Sequence, residues 1–129
     1  IANLLYTELN KGRVITHNTK FDLKFLAAEF WRAGITYQPE GSFCTMEYFK
    51  PLLNIPSKNY GIKYPKLSEV INYYNLSDGK ILKYTDSLFK EEVTGYHDAR
   101  YDTACVYVLF NILRESRYGK TDWLDTFRR

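Results

Sequence analysis

Tyr101, Cys105, Val108 and Ile112 recur at helical spacing near the end of the chain, with Ala104, Leu109 and Leu113 beside them. An apolar stripe of this length predicts a long helix that buries one face and must be packed by other elements. The stripe ends near Tyr118-Gly119, where glycine can close a helix. The whole chain has 129 residues, room for one domain around one core and too little for two.

Upstream, Leu4, Leu5, Glu8 and Leu9 predict a short opening helix closed by Asn10-Lys11-Gly12, and Arg13-Val14-Ile15-Thr16 reads as a short buried strand. Asn18 or Thr19 then caps a helix whose Phe21, Leu23, Phe25, Leu26, Phe30 and Trp31 predict a broad apolar face ending at Gly34. Strand, polar turn and helix start in succession are how α/β proteins bring functional residues to the carboxyl ends of strands. Ser42 to Thr45 predicts a second short strand, and Met46 to Leu53 a helix interrupted by Pro51. Residues 54–65 read as an exposed loop, and Leu67, Val70, Ile71 and Tyr74 mark another amphipathic helix. In the stretch Asn75 to Gly95, Asn75, Asp78 and Gly79 read as turn chemistry, followed by a short helix around Ser87 to Glu92.

Twelve Tyr, eight Phe and two Trp are the compositional outlier. Many of these rings must lie at the surface or in a groove, where they stack on bases or simply pack. The 45% hydrophobic and 26% charged fractions are those of a globular chain, which excludes a collagen-like or disordered protein and a membrane span. A net charge of +3 is too slight to demand a polyanionic partner. It is unevenly spread: segments 1–34, 35–56, 57–83, 84–102 and 103–129 carry +2, −1, +3, −3 and +2. An acidic stretch bordered by Lys and Arg suits metal-assisted work on phosphates. Cys44 and Cys105 form no CxxC pair, which favours a reducing, cytoplasmic setting, and residues 1–5 have no secretory-signal pattern.

Two short segments carry the chemistry. The first, His17-Asn18-Thr19-Lys20-Phe21-Asp22, places a carboxylate in the first turn of a helix just after a strand. The second, His97-Asp98-Ala99-Arg100-Tyr101-Asp102, places a histidine before a long helix and a carboxylate one turn inside it. His97 and Asp102 converge only if His97 lies on the loop leading into the helix, because residues five apart differ by about 140° on the helix itself. Each group also has a plain explanation. Asp22 complements a helix dipole, and His97 is an ordinary loop histidine. Asp102 is harder to dismiss, since a carboxylate between apolar neighbours needs a cation, a metal or solvent to meet it. Two carboxylates and a histidine without a thiol suit a hard metal better than zinc.

The two segments resemble the second and third motifs of the DEDDh 3′-to-5′ exonucleases, the DnaQ-like family of the ribonuclease H-like superfamily that includes the proofreading subunit of bacterial DNA polymerase III. His17, Asn18, Phe21 and Asp22 match the second motif, and His97, Ala99 and Asp102 the third. Cys44-Thr45-Met46 and the stretch Tyr64 to Val70 resemble the strand and helix between them. A histidine five positions before the last aspartate marks the histidine branch; the tyrosine branch needs Tyr at position 98, which is Asp98.

The resemblance implies an α/β fold, the carboxyl-terminal part of a ribonuclease H-like exonuclease domain over residues 1–129, helix-rich with two short parallel strands, and a C-terminal extension over 117–129. It implies two divalent ions, Mg²⁺ or Mn²⁺, clamping a scissile phosphate. His97 would be the general base, Asp102 would hold the nucleophile-side ion and Asp22 the other. Asn18 and Phe21 would position the terminal nucleotide of single-stranded DNA or RNA, with Lys20, Lys63 and Lys66 attracting the backbone. A polymerase subunit is the implied protein partner, and the Asn75 to Gly95 stretch is a lid, a substrate guide or an insertion.

The family's first motif, Asp-x-Glu, is missing: none of the seven Asp residues has Glu two positions later. That motif stands on strands preceding the helix that Ile1 to Asn10 resembles. The expectation is therefore of a carboxyl-terminal portion of a longer exonuclease that binds metal weakly by itself. The alternatives are an inactive relative that binds nucleic acid or protein, and a helical interaction domain with chance motif matches.

Overall fold

A computed structural model describes every residue, Ile1–Arg129, as seven helices and a two-stranded parallel sheet. The elements are α1 (Ala2–Leu9), β1 (Val14–Thr16), α2 (Thr19–Arg32), β2 (Ser42–Cys44), α3 (Thr45–Leu53), α4 (Leu67–Tyr73), α5 (Asp78–Phe89), α6 (Ala99–Ser116) and α7 (Asp122–Phe127). The chain divides into two compact units, Ile1–Tyr48 and Phe49–Arg129. No helix is long and apolar enough to cross a membrane.

In the first unit β1 and β2 pair in register Val14↔Ser42, Ile15↔Phe43 and Thr16↔Cys44. Parallel neighbours need a crossover between them, and α2 supplies it. Only Thr19 and Phe30 of α2 are buried. Phe30 joins Tyr6 and Tyr37 in an aromatic cluster with ring centroids 5.0–6.3 Å apart. The Tyr37 hydroxyl is buried without a hydrogen-bond partner, and burial pushes its phenol up from the usual range.

The second unit holds the larger core. Tyr101, Ala104, Cys105, Val108, Leu109 and Ile112 of α6 are all buried, so the stripe forms the face that the sequence predicts. That face packs against α4, α5 and α7, with Phe49, Val70, Ile71, Leu76 and Ile81 fully buried around it. Burial pushes the Cys105 thiol up to about 12, as expected of an inert core cysteine. Both cysteines are free. The chain end closes this unit: Leu76 and Arg128 form an antiparallel bridge, Ser77 N–H donates to Phe127 O at 2.7 Å, and Phe127 enters the core. Residues 122–127, read from sequence as part of an extension, are thus a helix packed on α6.

The structure corrects five expectations. No helix spans Ser87 to Glu92; α5 runs from Asp78 to Phe89, capped by the Ser77 hydroxyl, which accepts from Lys80 N–H at 3.3 Å. Asp78 and Gly79, read as a turn, are its first helical residues, because the buried Ile81 and Thr85 one turn apart anchor one face in the core. Pro51 does not interrupt α3; it stands late in the helix, where a single missing N–H is tolerated at a cost. The 54–65 loop carries a small antiparallel bridge, Pro56↔Ile62, closed by Ser57 N–H to Gly61 O at 2.8 Å. Finally, the apolar face expected of α2 is largely solvent-facing: Phe21, Phe25 and Trp31 are 65%, 58% and 73% exposed.

Candidate functional site

The first candidate segment stands where β1 hands over to α2. Asn18 is the N-cap residue, yet its side chain makes no capping bond; its backbone takes the left-handed conformation at φ 94°, a geometry that asparagine tolerates better than most residues. The turn lets the Asn18 carbonyl accept from Phe21 N–H at 3.1 Å and Asp22 N–H at 3.2 Å. Asn18, Phe21 and Asp22 are thereby gathered at one helix start, with Asp22 half-buried and Phe21 exposed. His17 is half-buried, its Nδ1 2.9 Å from the hydroxyl of the fully buried Thr45. That hydroxyl in turn donates to Thr16 O at 3.3 Å.

Cys44, which sequence reasoning read only as a strand residue, belongs to this corner. Its Sγ accepts from Thr19 N–H and Glu47 N–H, each at 3.5 Å, so the starts of α2 and α3 both face the sulfur. Burial pushes the thiol up, but these amide hydrogen bonds outweigh it and leave Cys44 below the usual thiol range. The signal in the sequence was a strand end followed at once by a helix start. Lys20 of this corner pairs with Glu47 at 3.4 Å.

The second segment opens α6. His97 lies on the loop before the helix, exposed, with a left-handed backbone at φ 72°, which is the placement the spacing of His97 and Asp102 required. Asp98 is the N-cap: its Oδ1 accepts from Arg100 N–H at 3.0 Å, and its carboxylate pairs with the Arg100 guanidinium at 2.8 Å. Arg100 also reaches Glu91 at 2.7 Å. Asp102 is half-buried in the first turn, its N–H donating to Asp98 O at 3.0 Å.

The Arg100 side chain, then the Arg100 amide, hold the Asp98 carboxyl down at about 2 against burial. The unfolded chain therefore binds more protons than the folded one as pH falls from about 4 toward 2, and stability drops in that window. Above it the contribution is complete. Urea titrations between pH 6 and pH 2 are expected to show this acid loss in the wild type and a shallower one in Asp98→Asn, which keeps a capping side chain but cannot titrate.

The two segments are mounted alike. In each, the histidine immediately precedes the N-cap residue, and the aspartate is the fourth helical residue, donating its N–H to the N-cap carbonyl. They differ in what the third helical residue does: Phe21 faces solvent, while Tyr101 is 1% exposed in the core. Of the lysines expected to attract a nucleic-acid backbone, Lys63 is committed to Glu69 at 2.7 Å. Lys66 and the half-exposed Tyr64 flank the start of α4, where the Glu69 carboxylate accepts from Lys66 N–H at 2.7 Å.

No group of three or more His, Cys, Asp or Glu side chains stands where it could hold a metal ion. A two-ion centre needs carboxylates that clamp both ions, so the donors of this chain fall short of one. A cleft of about 410 Å³ lies in the first unit, lined by Glu8, Leu9, Lys11, Gly12, Arg13, Val14 and Ile15, and includes none of the expected site residues. No protein-family model, curated protein or solved structure matches this chain.

Proposed function

We propose that this chain acts in 3′-to-5′ exonucleolytic hydrolysis of single-stranded DNA or RNA, with His97, Asp102 and Asp22 as its catalytic groups and Asn18 and Phe21 contacting the terminal nucleotide. One observation carries the reading: in both H-x-x-x-x-D segments a histidine stands just before the N-cap residue and an aspartate in the first helical turn, and the entry turn holds one left-handed residue, Asn18 in the first segment and His97 itself in the second. Left-handed non-glycine backbone costs about 1–2 kcal/mol per residue, and such strain is concentrated at functional sites. In this reading His97 takes a proton from the attacking water. Mg²⁺ or Mn²⁺ is the proposed cofactor, with Asp22 and Asp102 as its ligands. The resemblance to a ribonuclease H-like domain and to proofreading subunits belongs to the same proposal, with a polymerase subunit as partner.

The test is a 5′-labelled single-stranded oligonucleotide incubated with the protein and Mn²⁺. The expected result is a ladder shortened one nucleotide at a time from the 3′ end, with a circular single strand left intact. No shortening, or cutting of the circle, overturns the proposal. The short donor set favours a second reading, an inactive relative that binds nucleic acid, which predicts binding without release in the same assay.

A further inference from the structure

We infer that the outer face of α2 is a binding platform for single-stranded nucleic acid, an inference that rests on the nuclease reading for the choice of ligand. On a helical wheel Lys20, Phe21, Lys24, Phe25, Trp31 and Arg32 share an arc of about 140°, and every one of them is exposed. Thr19, Leu23, Leu26 and Phe30 occupy the opposite side and are buried or half-buried. Fourteen residues of helix thus present three solvent-facing rings interleaved with three cations, while the acidic Asp22 and Glu29 lie outside that arc.

The interleaving selects the occupant. A protein partner packing here would have to cover Lys20 and Lys24, and lysine is depleted in protein interfaces. A membrane-surface helix separates its rings from its cations onto different faces, whereas here they alternate along one. Rings with cations between them are what a flexible polyanion with flat bases uses: the bases stack and the phosphates are neutralised. The cations are available for this. Lys24 makes no ion pair, Lys20 pairs with Glu47 at 3.4 Å with its side chain 86% exposed, and Arg32 pairs with Glu29. Exposed pairs of this kind are weak and exchange readily.

The test measures binding without turnover. Fluorescence anisotropy of labelled twelve-nucleotide dT and rU strands is followed in EDTA, together with Trp31 emission. Both strands are expected to bind with salt-dependent affinity and to quench Trp31. Phe25→Ala and Trp31→Ala should each weaken binding by about 5- to 100-fold, and Lys24→Ala should lower the salt slope by about 0.7. Tyr60→Ala, which removes a ring 95% exposed in the second unit, should change nothing. All of these residues face solvent, so circular dichroism is expected to be unaltered. Unchanged affinity in both ring variants, an equal loss in Tyr60→Ala, or binding to anionic vesicles in place of the strands overturns the platform. Binding that depends on Phe25, without nucleotide release by the wild type in Mn²⁺, supports the platform and removes the nuclease. Nucleotide release whose KM is indifferent to Phe25→Ala and Trp31→Ala does the reverse.

Discussion

Tyr101→Ala is expected to lower the stability of the second unit by about 3–5 kcal/mol, the usual cost of deleting a buried ring. Tyr101 is the largest of the fully buried side chains and begins the apolar stripe of α6. Its ring meets Tyr96 edge-on at 5.0 Å. The hydroxyl contributes much less: it lies 3.4 Å from Asp78 Oδ1, while Tyr96 donates to the same oxygen at 3.0 Å. Burial pushes both phenols up from their usual range, so each keeps its proton at any physiological pH. In Tyr101→Phe, Asp78 retains Tyr96 and solvent, and the change should stay within about 1.5 kcal/mol. Urea unfolding followed by Trp123 emission separates the two, since Trp123 stacks on Phe127 within this unit. Equal losses in the two variants would show that the hydroxyl, and not ring packing, fixes the helix start. The result bears on function because the ring sits between Asp98 and Asp102 in sequence, and the turn it anchors carries both.

What could be read in the sequence followed from periodicity within single elements. The α6 stripe was legible because seven apolar residues repeat over more than three turns, and β1, β2 and α4 because each is bounded by turn chemistry. α5 was not legible at its start, since Ser77-Asp78-Gly79 has the composition of a turn and becomes a cap and first helical turn only through burial of Ile81 and Thr85. α2 misled in the opposite sense. Its six large apolar residues suggest a broad buried face, yet with exposed Lys20, Lys24 and Arg32 between them only Phe30 is buried. The candidate residues were legible as two spaced motifs, and the helical angle between His97 and Asp102 set a condition, His97 on the entry loop, that its position before α6 meets. The left-handed turns at Asn18 and His97, the convergence of two helix starts on Cys44, and the engagement of Lys63 by Glu69 depend on three-dimensional partners that spacing does not encode.

His97 and His17 should respond oppositely to substitution, although each stands five residues before an aspartate. The His97 ring is exposed and makes no hydrogen bond, so its removal leaves the fold intact; His97→Gly relieves the positive φ as well and should unfold at equal or higher urea. If His97 is the proton acceptor, nucleotide release in His97→Ala or His97→Gly falls by about 10²- to 10⁴-fold, the range a positioned acid–base group supplies. His17 is tied to the buried Thr45 hydroxyl at 2.9 Å, and losing that bond should cost about 0.5–1.5 kcal/mol of stability. Added imidazole distinguishes chemistry from architecture. It should restore part of the release in His97→Gly, where the removed ring leaves space for a free base, and do nothing for His17→Ala. Single-turnover release with a 5′-labelled strand in Mn²⁺, with and without imidazole, reads both. Retained activity in His97→Gly would move the proton-accepting role away from this residue, and rescue confined to His17→Ala would assign it to the first segment.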